Sequence, residues 1–224
     1  MVCSDTTRDE KKVSMEGLRP GTLSVWAGEE TYLLQNATQV PVVHSVSFGY
    51  KDLDEWQKVA RGQQPGHIYG RNSNPTVQAF EEKVRKLEGA DAATSASTGM
   101  GIISSLIFAL VSPGERIVSV KDTYGGTHKL FSEFLPRFQI HTTLCNTTDH
   151  EAIEEAVKHG CRLLYLESPT NPTLKVIDLA RLAQAGHDAG AIVVVDNTFA
   201  TPINQNPIEL GADLVLHSAT KFLG

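Results

Sequence analysis

From residue 92 onward, short apolar runs alternate with segments of helical periodicity, and this alternation narrows the fold more than any other feature of the chain. The runs are AATSAS at 92–97, RIVSV at 116–120, QIHTTL at 139–144, RLLYL at 162–166, AIVVV at 191–195 and ADLVLHS at 212–218. Helical patterns fall between them at 99–111, after Tyr124, at 149–158 and at 178–189. The pattern predicts crossover units, hence an α/β fold with a mostly parallel sheet and helices on both faces. The unbroken Ile192-Val193-Val194-Val195 run suits a strand covered on both sides. Ahead of this region, Val77, Phe80, Val84 and Leu87 lie at helical spacing between Pro75 and Gly89, which predicts an amphipathic helix. Residues 17–65 mix Gly, Pro and Thr with short apolar pieces and show little periodicity. They read as an extended N-terminal arm, so the expected division is an arm over 1–65 and an α/β domain over 66–224. The chain stops at Gly224 just after a strand and a polar turn, and so reads as the N-terminal portion of something longer.

A length of 224 residues is enough to bury a sizeable core. The formal charge of −6 and the absence of any Lys/Arg run longer than Lys11-Lys12 argue against nucleic acid as a partner. Cys3, Cys145 and Cys161 have no CxxC spacing, which fits a reducing compartment. The first fifteen residues carry charge without an apolar core, and no apolar run elsewhere can cross a bilayer. The expectation is a cytoplasmic protein with no membrane contact.

In an open parallel sheet, ligands gather beyond the C-terminal strand ends. Those positions are unusually polar here: Thr98-Gly99-Met100-Gly101, Asp122 with Tyr124-Gly125-Gly126-Thr127, Glu167 through Pro172, Asp196-Asn197-Thr198, and His217 through Lys221. Five strand ends are therefore expected to converge on one pocket. Gly99 opens a helix, where free N–H groups favour a phosphate, although tight strand-helix packing explains the glycine equally simply. Asp196 ends an apolar strand and would suit a cationic partner, or it caps a turn. Tyr124 beside two glycines is an ordinary turn residue or a ring-stacking group.

Most lysines are solvated surface groups, but Lys221 follows an apolar strand with Ser218 and Thr220 beside it. A lysine, a phosphate-holding turn and an acid on the adjacent strand end match the needs of pyridoxal phosphate: a Schiff-base amine, a phosphate cup and a partner for the pyridine nitrogen. Ser218-Ala219-Thr220-Lys221 also satisfies the S-x-x-K pattern of serine acyl-enzymes, but the accompanying S-D-N and K-T-G elements are absent. No HExxH, G-x-S-x-G, Walker loop or zinc-spaced Cys/His set occurs, so no metal is expected.

Six segments in order then resemble the pyridoxal-phosphate enzymes of cysteine and methionine metabolism, from about Thr22 to the end. They are Tyr69-Gly-Arg71-Asn-Ser-Asn-Pro75-Thr76, Ser97-Thr-Gly99-Met100, Tyr124-Gly-Gly-Thr127, Glu167-Ser-Pro-Thr-Asn171-Pro172, Asp196-Asn-Thr198 and His217-Ser218-Ala-Thr220-Lys221-Phe-Leu-Gly224. The family includes cystathionine γ-synthase, cystathionine γ-lyase, O-acylhomoserine sulfhydrylase and methionine γ-lyase.

The resemblance implies the large domain of a fold-type I pyridoxal-phosphate transferase. Lys221 would carry the cofactor and shuttle protons, and Asp196 would keep the pyridine nitrogen protonated. Tyr124 would stack on the ring and assist proton transfer. Gly99, Met100, Ser218 and Thr220 would hold the phosphate, with Asn171 near the ring hydroxyl. Tyr69 and Arg71 would reach the phosphate of a neighbouring subunit, which implies a homo-oligomer, a dimer or more usually a homotetramer. The substrate would be a small amino acid, and the shared chemistry is loss of a γ-substituent. Methionine γ-lyases typically carry a cysteine two residues after the stacking tyrosine, where this chain has Gly126. The favoured expectation is γ-substitution on an O-acylhomoserine by cysteine or sulfide, with γ-elimination from cystathionine or methionine as the rival. Family members continue into a C-terminal domain that supplies an arginine for the substrate carboxylate. If Gly224 ended the chain, an inactive fragment that only oligomerises would be the reading of a different class.

Overall fold

A computed structural model describes residues 17–28 and 38–223, so Cys3, the polar start and part of the expected arm lie outside the described residues. By contacts the chain forms two compact units, residues 1–87 and 88–224.

In the first unit, α1 spans Pro20–Trp26, with Pro20 at the first turn, where its missing N–H costs no helical hydrogen bond. Helix α2, Leu53–Ala60, is capped by Asp52, whose carboxylate accepts from the Glu55 N–H at 2.9 Å. Helix α3, Pro75–Glu88, of which the last residue, Glu88, belongs to the second unit, starts where Asn74 accepts the Thr76 N–H and donates to the Val43 carbonyl. The expected apolar stripe is not what α3 buries: Val77 and Phe80 are exposed, while Ala79 is buried. The reason is close backbone approach. Gly28, at φ +80°, comes so near Ala79 that a Cβ there would lie 2.3 Å from the Ala79 carbonyl oxygen, and only a small side chain fits such a crossing.

The second unit is built on a five-stranded sheet, all parallel, in the order β2-β1-β3-β4-β5. The strands are β1 Arg116–Val120, β2 His141–Cys145, β3 Leu163–Glu167, β4 Ile192–Asp196 and β5 Leu214–Leu216. Helix α4, Gly99–Leu110, precedes β1. Between β1 and β2 run α5 (Gly125–Lys129), a π-helical turn (Leu130–Phe134) and a 3-10 turn (Leu135–Phe138). Helix α6 spans His150–Lys158, α7 Leu179–Asp188 and α8 Thr201–Asn204. Residues 92–97, expected as a strand, lie outside the sheet: extended chain becomes a strand only through a ladder partner, and this run of small residues has none among the described strands.

Strand alternation sorts the core into two layers. Ile117, Leu163, Tyr165, Val194 and Leu216 pack with Ile103 and Ile107 of α4 and with Leu130, Phe131 and Leu135. Val118, Val120, Leu164, Leu166, Val193 and Val195 pack instead with Ile153 and Val157 of α6 and Leu179 and Leu182 of α7. Helices thus cover both faces, as the continuous apolar strands require. Asp149 and Asp178 cap α6 and α7, each accepting an N–H in the first turn at 3.0 Å.

Candidate active site

Parallel strands point their C-terminal ends the same way, so the residues that follow them share one rim. There the second unit encloses a cavity of about 350 Å³. Four strand ends, with the turn into α4, supply its lining. Of the residues expected from sequence, Gly99, Met100, Tyr124, Asn171, Asp196, Ser218, Thr220 and Lys221 all line it. Tyr69 and Arg71 belong to the first unit, where the Arg71 guanidinium carbon lies 5.4 Å from the centroid of the Tyr69 ring.

The turn into α4 leaves the Gly99 and Met100 N–H groups without intrahelical acceptors, while Thr98 caps the helix by accepting the Gly101 N–H at 2.9 Å. Gly99 packs closely, since a Cβ there would come 3.0 Å from the Ser218 Cβ and Oγ, tighter than ordinary van der Waals contact. Strand-helix packing and an open anion cradle are therefore met by the same glycine. Lys221 follows on the turn after β5, its N–H donating to the Ser218 carbonyl at 3.1 Å.

Asp196 is 7 % exposed and receives three donors. The Thr198 N–H (3.1 Å) and hydroxyl (2.6 Å) both meet Oδ1, and the Tyr165 hydroxyl meets Oδ2 at 3.3 Å. Burial, with the Asp196 and Glu167 charges next in effect, pushes the Tyr165 phenol well above its ordinary range, so it stays a neutral donor.

Glu167 falls among the polar strand-end residues named from the sequence, where it is given no role. It ends β3 directly opposite Asp196 in the ladder and is 5 % exposed. Its two oxygens accept the backbone N–H groups of Tyr124 (2.9 Å) and Asn171 (2.8 Å). Burial first, and the Asp196 charge second, push its carboxyl up to about 7 against the pull of those two donors. The signal available in sequence was an acid ending an apolar strand beside a second strand that also ends in an acid.

Behind the rim lies a polar hub. Glu88 Oε1 accepts from Asn197 Nδ2 at 3.1 Å and pairs with His217 Nε2 at 2.5 Å. Asn197 also bonds Gln205, whose amide donates to the Ser168 carbonyl at 2.7 Å. The ends of β3, β4 and β5 are thereby tied together. Gly126 sits by the Tyr124 ring, where a Cβ would lie 2.7 Å from the ring and 2.9 Å from the Met100 sulfur.

The fold is that of the fold-type I pyridoxal-phosphate enzymes. A Campylobacter jejuni chain crystallised with N′-pyridoxyl-lysine-5′-monophosphate superposes with a TM-score of 0.85 at 25 % identity, over 92 % of this chain and 51 % of that one. Residues 21–224 match the family model for Cys/Met metabolism PLP-dependent enzymes, and the chain belongs to that family. An L-methionine γ-lyase of Fusobacterium nucleatum is 37 % identical over 91 % of this chain and 51 % of its own length. An O-succinylhomoserine sulfhydrylase of Pseudomonas aeruginosa is 41 % identical over 72 % of this chain and 40 % of its own. The chain spans about half the length of the curated relatives it matches. Among the described residues, no helix is long and apolar enough to cross a membrane.

Proposed function

We propose that the second unit holds pyridoxal phosphate in this cavity, with Lys221 as the amine that attaches it, and that the protein catalyses γ-substitution. The substrates are an O-acylhomoserine and cysteine or sulfide, and the product is cystathionine or homocysteine. One observation carries the reading: a lysine, a buried strand-end aspartate and an open helix N-terminus line one cavity. The donor set fits the group. The N–H groups of Gly99 and Met100, with the Ser218 and Thr220 hydroxyls, suit a phosphate. The Asp196 carboxylate suits a protonated pyridine nitrogen, the Tyr124 ring suits a stacked aromatic face and Asn171 suits the ring hydroxyl.

When bound, the cofactor withdraws electrons from the substrate so that Cα and Cβ protons become removable. The chain's own residues do the rest. Asp196 holds positive charge at the ring nitrogen. Lys221 Nζ takes and returns the protons at Cα and Cβ, and the Tyr124 hydroxyl assists. Tyr69 and Arg71 complete the phosphate site of a neighbouring subunit in a homotetramer, and the setting is cytoplasmic, where Cys145 and Cys161 stay as free thiols. The arm and cofactor-domain division at 65/66 belongs to this reading.

γ-Elimination is the second reading, and the likeness to a methionine γ-lyase supports it. Gly126, standing where methionine γ-lyases carry cysteine, argues against elimination from methionine, while the Tyr-Gly-Gly-Thr form is common to the synthases and the cystathionine lyases. Supplying O-acetyl- or O-succinylhomoserine with cysteine or sulfide should yield cystathionine or homocysteine. Ammonia and an oxoacid from cystathionine or methionine would instead establish the lyase. Adding pyridoxal phosphate should produce a visible absorbance band that Lys221→Ala loses and Lys158→Ala keeps; a band unchanged in Lys221→Ala refutes the cofactor assignment.

A further inference from the structure

Four of the strand ends carry groups assigned above to the cofactor, yet strand ends are joined by loops, and nothing in a β-ladder fixes one loop's side chain against the next. Thr198 supplies such a link. Its hydroxyl lies 2.6 Å from Asp196 Oδ1 and 2.9 Å from the backbone nitrogen of Ser218. A hydroxyl has one proton to donate and lone pairs to accept, so it donates to the carboxylate and accepts from the Ser218 N–H. Both roles are filled at normal geometry, and Thr198 lines the cavity. The neighbouring side chains do not duplicate the link: Asn197 turns to Glu88 and Gln205, and Tyr165 meets only the far carboxylate oxygen.

We propose that Thr198 is a positioning residue that locks the Asp196 carboxylate, at the end of β4, to the Ser218 turn after β5, so that the group holding the pyridine nitrogen and the group holding the phosphate keep one fixed separation. The assignment rests on the cofactor reading above. Two sites that bind one rigid ligand gain affinity when their spacing is set before binding. The hydroxyl does this with no contribution to the reacting atoms.

The test compares Thr198→Val, which keeps the shape and removes the hydroxyl, with Thr198→Ser, which keeps the hydroxyl, in the whole protein as purified. Titration of the cofactor-free protein with pyridoxal phosphate should show the valine variant weaker by about ten- to a hundredfold, the size expected for losing two hydrogen bonds, one of them to a charged group. Serine should remain within a few fold of wild type. A ring nitrogen whose proton is less well held leaves more charge to the lysine nitrogen, so the pH midpoint of the visible band should rise in the valine variant by roughly half a unit or more. A merely structural loss would leave that midpoint in place. Valine equal to wild type, serine as weak as valine, or a valine variant that fails to fold by circular dichroism each overturns the positioning role while leaving the cofactor reading intact. Absence of any visible band in the wild type overturns both.

Discussion

At the residue scale, Glu167 shows how a site can hold a group that its chemistry does not name. Two backbone N–H donors favour its charged form, but burial beside Asp196 outweighs them, and the carboxyl reaches about 7 against an ordinary 4.5. Between those values the folded protein keeps a proton that the unfolded chain has released. The contribution is therefore fully present below about pH 4.5 and is lost as pH rises through about 7. Replacing Glu167 by Gln should flatten the fall in stability of the cofactor-free protein across this window, which at its steepest is about 1.4 kcal/mol per pH unit. Urea denaturation at several pH values measures it; parallel curves for the two proteins would refute the assignment. Residue type alone would leave Lys221 among the surface lysines; its place after an apolar strand, beside a strand that ends in Asp196, is what singled the two out. Glu167 was given no role because its partners are backbone groups of residues 43 positions upstream and 4 downstream.

At the scale of elements, the apolar runs of the sheet were legible because a strand buried on both faces must be continuously apolar. Residues 92–97 were not, since small residues in an extended run look like a strand whether or not a ladder partner exists. The α3 stripe misled for a related reason: periodicity locates an apolar face, but close approach at Ala79 decided which face was covered. Close approach also governs α7. A Cβ at Gly186 would come 2.7 Å from Val193 Cγ2 and 3.2 Å from Leu164 Cδ2, so the helix lies nearer the sheet than a larger residue permits. Gly186→Ala should destabilise the protein by about 1–3 kcal/mol despite alanine's better helix propensity, because overpacking outweighs a gain of about 1 kcal/mol. Chemical denaturation would show it; a more stable variant would mean that the two side chains yield freely.

At the scale of the whole molecule, Glu88 joins parts of the chain 109 and 129 residues apart, through Asn197 and His217. Removing it strands two buried donors, so Glu88→Ala should cost about 2–4 kcal/mol in equilibrium unfolding, whereas Glu88→Gln, which keeps an acceptor, should cost less. Equal losses for the two variants would show that charge, not the acceptor, matters. Pattern and motif order in the sequence determined the α/β class, the helix-covered parallel sheet and the candidates Gly99, Tyr124, Asp196 and Lys221, since periodicity and residue chemistry are local properties. The tertiary structure alone decided that Glu167 faces Asp196, that Thr198 spans two strand ends and that Glu88 anchors the rim. Those relations come from strand register and from contacts between distant segments, which no local pattern encodes.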